Sequence, residues 1–184
     1  CCFQLRESER VGITCSNGSG KTRLLKIIVG LLRPTGGELE VFGRPRKEEH
    51  DFQDVRCRSG FLFQDSDDQL FCPTVAEDVA FGPLNLGTPR DEVRRIVPDT
   101  LRQLGLAGFE QKVTYRLSGG EKRLVALATV LAMKPKILLL DEPTSGLDED
   151  STNRVLDILL HLPQAMIIVS HNRKMLDLLA TRHL

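Results

Sequence analysis

The stretch Ser16-Asn17-Gly18-Ser19-Gly20-Lys21-Thr22 lies between an apolar run, Val11–Cys15, and a helical pattern, Leu24–Leu32. Glycines and small polar residues at a strand-to-helix junction let successive backbone N–H groups face one concavity. The helix N-terminus adds the positive end of its dipole there. Such a turn cradles phosphate. Lys21 is placed to reach the terminal phosphates and the Thr22 hydroxyl to ligate a bridging Mg²⁺, with Asn17, Gly18, Ser19, Gly20 and Arg23 completing the contact. The plain alternative is a turn whose glycines only supply positive φ. A Gly-Ser-Gly-Lys-Thr string at this junction argues against it.

A second cluster complements the first. Ile137–Leu140 is a continuous apolar run ending in Asp141-Glu142, as expected of a parallel strand buried on both faces whose C-terminal end opens onto a site. Asp141 would hold Mg²⁺ through water, and Glu142 would orient and polarise an attacking water. Solvated turn residues before Pro143 are the alternative, but the phosphate cradle provides the ligand that the two carboxylates require. Leu117-Ser118-Gly119-Gly120-Glu121 precedes an apolar helical pattern, Leu124–Met133, so Gly119-Gly120 opens a helix and presents N–H donors to an anion. His171 follows the apolar run Met166–Val169. A lone histidine there is more often structural than catalytic. His50, His161 and His183 lie in charged or terminal segments and read as surface.

Leu-Ser-Gly-Gly-Glu at 117–121, upstream of Asp141-Glu142-Pro143, resembles the signature motif of ABC-type ATPases, and the resemblance covers essentially the whole chain. It implies ATP and Mg²⁺ as ligands and supplies roles for further positions. Gln64, after Phe61-Leu62-Phe63, matches the Q-loop glutamine, counted with the catalytic residues Glu142 and His171 and with the metal-binding residues Thr22 and Asp141. Ser145-Gly146-Leu147-Asp148 matches the D-loop, and His171 the switch histidine. In that family the signature Ser118 and Gly120 of one subunit cap the γ-phosphate held by the P-loop of the other. The implied active unit is therefore a head-to-tail pair, homo- or heterodimeric, closing on two ATP molecules.

Two departures from the family pattern stand out. The P-loop pattern opens with a glycine four intervening residues before Gly20, and Cys15 occupies that place. Either the backbone keeps a φ that a small side chain tolerates, or the loop is distorted; the small size of cysteine favours tolerance. The aromatic residue that the family stacks on adenine, on a strand further upstream, has no clear counterpart: Phe3 is a poor substitute and Tyr115 sits beside the signature. Both termini are expected to be truncated.

Composition is that of a soluble globular protein, 41% hydrophobic and 27% charged, long enough to bury one sizeable core. Lysine plus arginine equals aspartate plus glutamate, at 25 each, and no basic stripe interleaved with aromatics occurs, so nucleic acid is not an expected partner. No apolar stretch approaches the ~18 residues of a membrane span and no basic-then-apolar pattern stands before the first motif, so neither a membrane span nor secretion is expected. The five cysteines lack paired metal-ligand spacing, which points to reduced thiols.

The expected architecture is an α/β P-loop NTPase core with a mostly parallel sheet, a small flanking antiparallel β-layer and an inserted α-helical subdomain. Core strands are expected near 10–15, 60–64, 137–141 and 166–170, and Gly36–Gly43 reads as one strand bounded by turns. Residues 1–64 and 119–184 form the catalytic core and 65–118 the insert, where Thr74–Val79 precedes a Gly82-Pro83 break and an amphipathic helix, Asp91–Leu104.

The insert narrows the resemblance. Phe63–Phe71 and Thr74–Pro83 resemble the ATPase subunits of cobalt importers and of energy-coupling-factor vitamin importers. That implies a membrane transporter subunit docking beside Gln64 and the insert, Leu70, Phe71 and Phe81 edging an apolar groove, and a peripheral place on the cytoplasmic face of the membrane. Rival readings are an ATP-binding subunit with little hydrolysis, motivated by Cys15, and a soluble non-transport ABC ATPase. DNA-repair enzymes of that last kind carry a long coiled-coil or zinc-bearing insertion absent from this spacing.

Overall fold

The computed structural model describes residues 3–14 and 20–184. In chain order the elements are β1 (Arg10–Ile13), α1 (Lys21–Ile28), β2 (Glu40–Val41), β3 (Arg44–Pro45), α2 (Gln53–Arg58), β4 (Ser59–Leu62), α3 (Val75–Asn85), α4 (Arg90–Gln103), α5 (Gly119–Leu131), β5 (Ile137–Asp141), α6 (Glu149–His161), β6 (Ala165–Val169), α7 (Arg173–Leu179) and β7 (Arg182–His183). Five strands form one sheet in the order β4-β5-β6-β1-β7. Every neighbouring pair is parallel, so all C-terminal ends emerge at one edge.

Continuous apolar runs suit this position because successive side chains face opposite layers. Ile137 and Leu139 of β5 and Ile167 and Val169 of β6 pack with Leu25 and Ile28 of α1. The alternate residues, Leu138, Leu140, Met166 and Ile168, pack with Leu124, Val125 and Ala128 of α5 on the other face. The two layers hold the strand ends level, with Leu62, Leu140 and Ile168 in register across β4, β5 and β6.

The core strands lie where the apolar runs predict them. Gly36–Gly43 differs from the single expected strand: only Glu40–Val41 is extended, paired antiparallel with Arg44–Pro45. The connecting Phe42-Gly43 takes positive φ at both positions, 55° and 72°, the two-residue turn whose twist matches a hairpin. Arg46 fastens this hairpin to α2, its guanidinium donating to the Val41 and Asp51 carbonyls and to the Asp54 carboxylate.

Gly82-Pro83 does not break the insert's first helix; α3 runs through it to Asn85. Thr74 and Glu77 exchange capping bonds at the N-terminus, the Thr74 N–H donating to Glu77 Oε2 at 2.9 Å. Val75, Val79 and Pro83 then bury one face at i, i+4 and i+8. The missing proline N–H costs a single backbone bond, and Gly82 repays it in contact: a β-carbon there would meet Met133 Cγ at 2.7 Å, so only glycine lets the helix seat so closely.

Candidate functional site

The site is assembled at the C-terminal edge of the sheet. Asp141 is the last residue of β5, and Glu142 follows with φ 46°, a left-handed conformation costly for a non-glycine residue. The turn is held because the Glu142 N–H donates to the Val169 carbonyl at 2.8 Å, tying the exit of β5 to the end of β6. Glu142 is 7% exposed.

Four donors surround its carboxylate. Ser170 Oγ donates to Oε2 at 2.7 Å. The His171 N–H donates to Oε1 at 2.9 Å, its ring Nδ1 lies 2.9 Å from the same oxygen, and Lys21 Nζ stands 3.6 Å away. Burial opposes the charge on Glu142, but the bonds from Ser170 and His171 outweigh it and hold its carboxyl below the ordinary glutamate range. Asp141 goes the other way. Burial raises its pKa, the hydrogen bond from the Thr22 hydroxyl opposes that rise, and the neighbouring Glu142 charge adds to it.

Lys21 and Thr22 open α1 after Gly20, which has φ 85°. Glycine suits that conformation, since a β-carbon is disfavoured in the left-handed region. One groove of about 740 Å³ is lined by Gly20, Lys21, Thr22, Arg23, Asp141, Glu142 and His171, with Gln64 and Ser145 on its wall. That is within the ~300–1,000 Å³ typical of small-ligand sites. The structure thus brings together Gly20, Lys21, Thr22, Arg23, Gln64, Asp141, Glu142 and His171. Cys15, Asn17, Gly18 and Ser19 lie outside the described residues.

The signature residues are not part of this groove. Ser118 caps α5, its N–H donating to Glu121 Oε2 at 2.8 Å while the Glu121 N–H returns to Ser118 Oγ at 3.2 Å. Ser118 and Gly119 are exposed, and Gly119 lines the neighbouring groove with Lys122, Arg123, Gln64 and Ser145. Gly120 is buried, and a β-carbon on it would meet Ser151 Oγ at 2.1 Å. Its small size therefore serves the approach of α5 to α6.

Two residues central to this geometry have no role assigned from the sequence. Arg123, 2% exposed, donates to the Phe63 carbonyl at 2.6 Å, the Gln64 carbonyl at 2.7 Å and the Glu142 carbonyl at 3.0 Å. It ties the end of β4 to the turn after β5; desolvation lowers its pKa, and the charges of Asp65 and Asp141 oppose that. Its signal was an arginine entering an apolar helical stretch, where a cation needs several acceptors. Ser170 is the other, and its signal was its place between an apolar strand and His171.

The family model described as ABC transporter matches residues 1–145. The chain belongs to this family. A Brucella suis protein, provisionally named an ABC transporter ATP-binding protein, is 52% identical across 98% of this chain and 75% of its own length. An energy-coupling factor transporter ATP-binding protein of Methanocaldococcus jannaschii is 44% identical across 92% of this chain and 62% of its own. This ABC chain therefore spans between about three fifths and three quarters of these two relatives.

Among solved structures, CbiO1 of Clostridium perfringens, part of the ABC transporter complex CbiONQ, superposes with a TM-score of 0.86. It has 34% identity and covers 97% of this chain and 73% of that one. A dimeric ATP-binding cassette in a post-hydrolysis state, bound to ADP and Pi, gives 0.84 with 27% identity, covering 96% and 80%. This is an ABC-family ATP-binding chain with an α/β P-loop NTPase fold, a mainly parallel sheet and a small antiparallel one. Among the described residues, no helix is long and apolar enough to cross a membrane.

Proposed function

We propose that this chain binds MgATP in the groove between α1 and the ends of β5 and β6, hydrolyses it, and thereby powers a membrane importer. The observation that carries this is the Glu142 carboxylate, kept ionised at a buried strand end and facing Lys21 at 3.6 Å. Lys21 neutralises the terminal phosphates, leaving Glu142 as they enter, and Gly20 and Arg23 line the groove; Asn17, Gly18 and Ser19 are the further phosphate contacts that the sequence pattern implies. Glu142 orients and polarises the attacking water, with Gln64 on the groove wall, and His171 stabilises charge on the γ-phosphate.

The donor set fits Mg²⁺. Among the described residues no group of three His, Cys, Asp or Glu is placed to hold a metal, and Mg²⁺ takes few protein oxygens besides phosphate and water. Thr22, hydrogen-bonded to Asp141, supplies such oxygens, and Gln64 is the third candidate. When bound, the ion neutralises phosphate charge.

Because Ser118 and Gly119 stand outside this groove, the signature is read as serving a second subunit, head-to-tail, as a homo- or heterodimer. The dimeric cassette that the fold matches supports this reading. Residues 65–118 act as a helical subdomain that receives an integral membrane subunit. Phe71 and Phe81, 63% and 46% exposed, pack edge to face at 4.7 Å between ring centres and offer the apolar contact in this reading, in which the chain sits peripherally on the cytoplasmic face of the membrane. The likeness to the energy-coupling factor ATPase and to CbiO1 supports an importer of cobalt, another transition metal ion or a vitamin. Cys15 favours, as the second reading, an ATP-binding subunit with little hydrolysis.

The experiment is nucleotide binding and steady-state ATP hydrolysis with Lys21→Ala and Glu142→Gln beside the wild type. Wild-type turnover, loss of binding in the lysine variant and binding without turnover in the glutamine variant are expected. Binding with no wild-type turnover would select the second reading, and wild-type turnover in Glu142→Gln would remove Glu142 from its role.

A further inference from the structure

We propose that Ser170 is a positioning residue that fixes the Glu142 carboxylate through a hydroxyl proton whose direction is set by the Asn172 backbone. This rests on the reading of Glu142 as the group that orients the attacking water. A serine hydroxyl has one proton to give and two lone pairs. The Asn172 N–H donates to Ser170 Oγ at 3.1 Å, which occupies a lone pair and leaves the proton to be given to Glu142 Oε2 at 2.7 Å. Ser170 is 1% exposed, and its own N–H donates to the Ile13 carbonyl at 3.2 Å, so water does not compete for the hydroxyl.

The support behind it is rigid. Asn172 caps α7, its Oδ1 accepting the Met175 N–H at 3.2 Å, and α7 buries Met175, Leu176 and Leu179 in the core. The other oxygen of Glu142 has different company. Besides the His171 backbone N–H, Oε1 faces the largely exposed His171 ring and Lys21, the two side chains that turn to phosphate when nucleotide enters. Those contacts change through a catalytic cycle, whereas the bond from Ser170 lies beneath the carboxylate and away from the groove lining. Ser170 therefore keeps the carboxylate plane while the charges around it rearrange.

The test compares Ser170→Ala and Ser170→Thr, with Ser170→Val as a shape match for threonine lacking the hydroxyl. The readouts are kcat, KM and MgADP affinity. Loss of the hydroxyl is expected to lower kcat about tenfold to a hundredfold, the scale of a carboxylate displaced by ~1 Å. KM and MgADP affinity stay within about twofold, and threonine outperforms valine by about tenfold. In the Glu142→Gln background the single-turnover rate should be insensitive to Ser170→Ala, since both changes act on one carboxylate. Equal kcat for Ser170→Thr and Ser170→Val, or a further drop in the glutamine background, overturns the proposal. Wild-type turnover in Glu142→Gln alone would instead overturn the reading of Glu142 beneath it.

Discussion

Two of the carboxylates buried among the described residues serve different ends. Glu142, at the C-terminal edge of the sheet, has both oxygens bonded and a lysine beside it. Asp78, 2% exposed on α3, accepts the Phe71 and Cys72 N–H groups on Oδ1, at 3.1 and 3.0 Å, while its buried Oδ2 has no hydrogen bond of ordinary geometry. Beside it the Cys72 thiol is pushed up to about 11, by burial first and then by the Asp78 charge, and so stays protonated. Both groups pin a turn. At Glu142 the charge is also aimed at an open groove, whereas at Asp78 it is spent on the backbone that carries Phe71 to the surface. A buried charge becomes a candidate for chemistry when some of its partners are side chains that face an open groove, as Lys21 and His171 do here, and scaffolding when its hydrogen bonds come from backbone alone.

The sharpest way to break this comparison is to exchange the consequences. Glu142→Gln should lower turnover by about 10²–10⁴ while membrane-subunit association survives. Phe71→Glu should do the reverse, abolishing co-purification with the membrane subunit and leaving ATP binding intact; unchanged association would sink the docking role. A smaller effect is expected beneath Phe71. Asp78→Ala strands two backbone N–H groups and should cost about 1–3 kcal/mol in chemical denaturation, with MgADP affinity unchanged; Asp78→Asn, which keeps an acceptor, should cost less.

The smallest effect lies in acid. The folded pKa of Glu142 is depressed, so it contributes stability that is present above its unfolded value near 4.5 and lost as pH falls through the folded value. Glu142→Gln should therefore flatten the acid loss of stability followed by urea midpoints below pH about 4.5. Asp141 has the opposite sign: its raised pKa favours the protonated form, and stability drops as pH rises through the folded value. Asp141→Asn should accordingly stabilise the nucleotide-free chain at neutral pH, and a loss there would contradict the assignment of burial as the dominant cause.

Much of this was legible without coordinates. The runs at Val11–Ile13, Ile137–Leu140 and Met166–Val169 are uninterrupted because both faces of a central parallel strand are covered. Their polar ends mark where the chain leaves the sheet. Lys21, Thr22, Asp141, Glu142 and His171 could be singled out because each stands at such an end or at a helix start, where local sequence dictates what the backbone exposes.

The small antiparallel layer stands where the sequence places it, but its turn at Phe42-Gly43 and the continuation of α3 through Pro83 differ from the local signals. In both, packing overrode a local signal: Arg46 holds one and Met133 against Gly82 the other. The sequence by itself determined the strand ends and the order of the residues that stand at them and at the helix starts, because those obey short-range rules of periodicity and backbone conformation. Only the tertiary structure decided that Ser170 reaches Glu142 from 28 positions away, that Arg123 joins Gln64 to Glu142, and that Ser118 and Gly119 stand outside the Lys21 groove. Such contacts follow from which strand lies beside which, and the β4-β5-β6-β1-β7 order comes from the collective burial of two apolar layers that no single segment encodes.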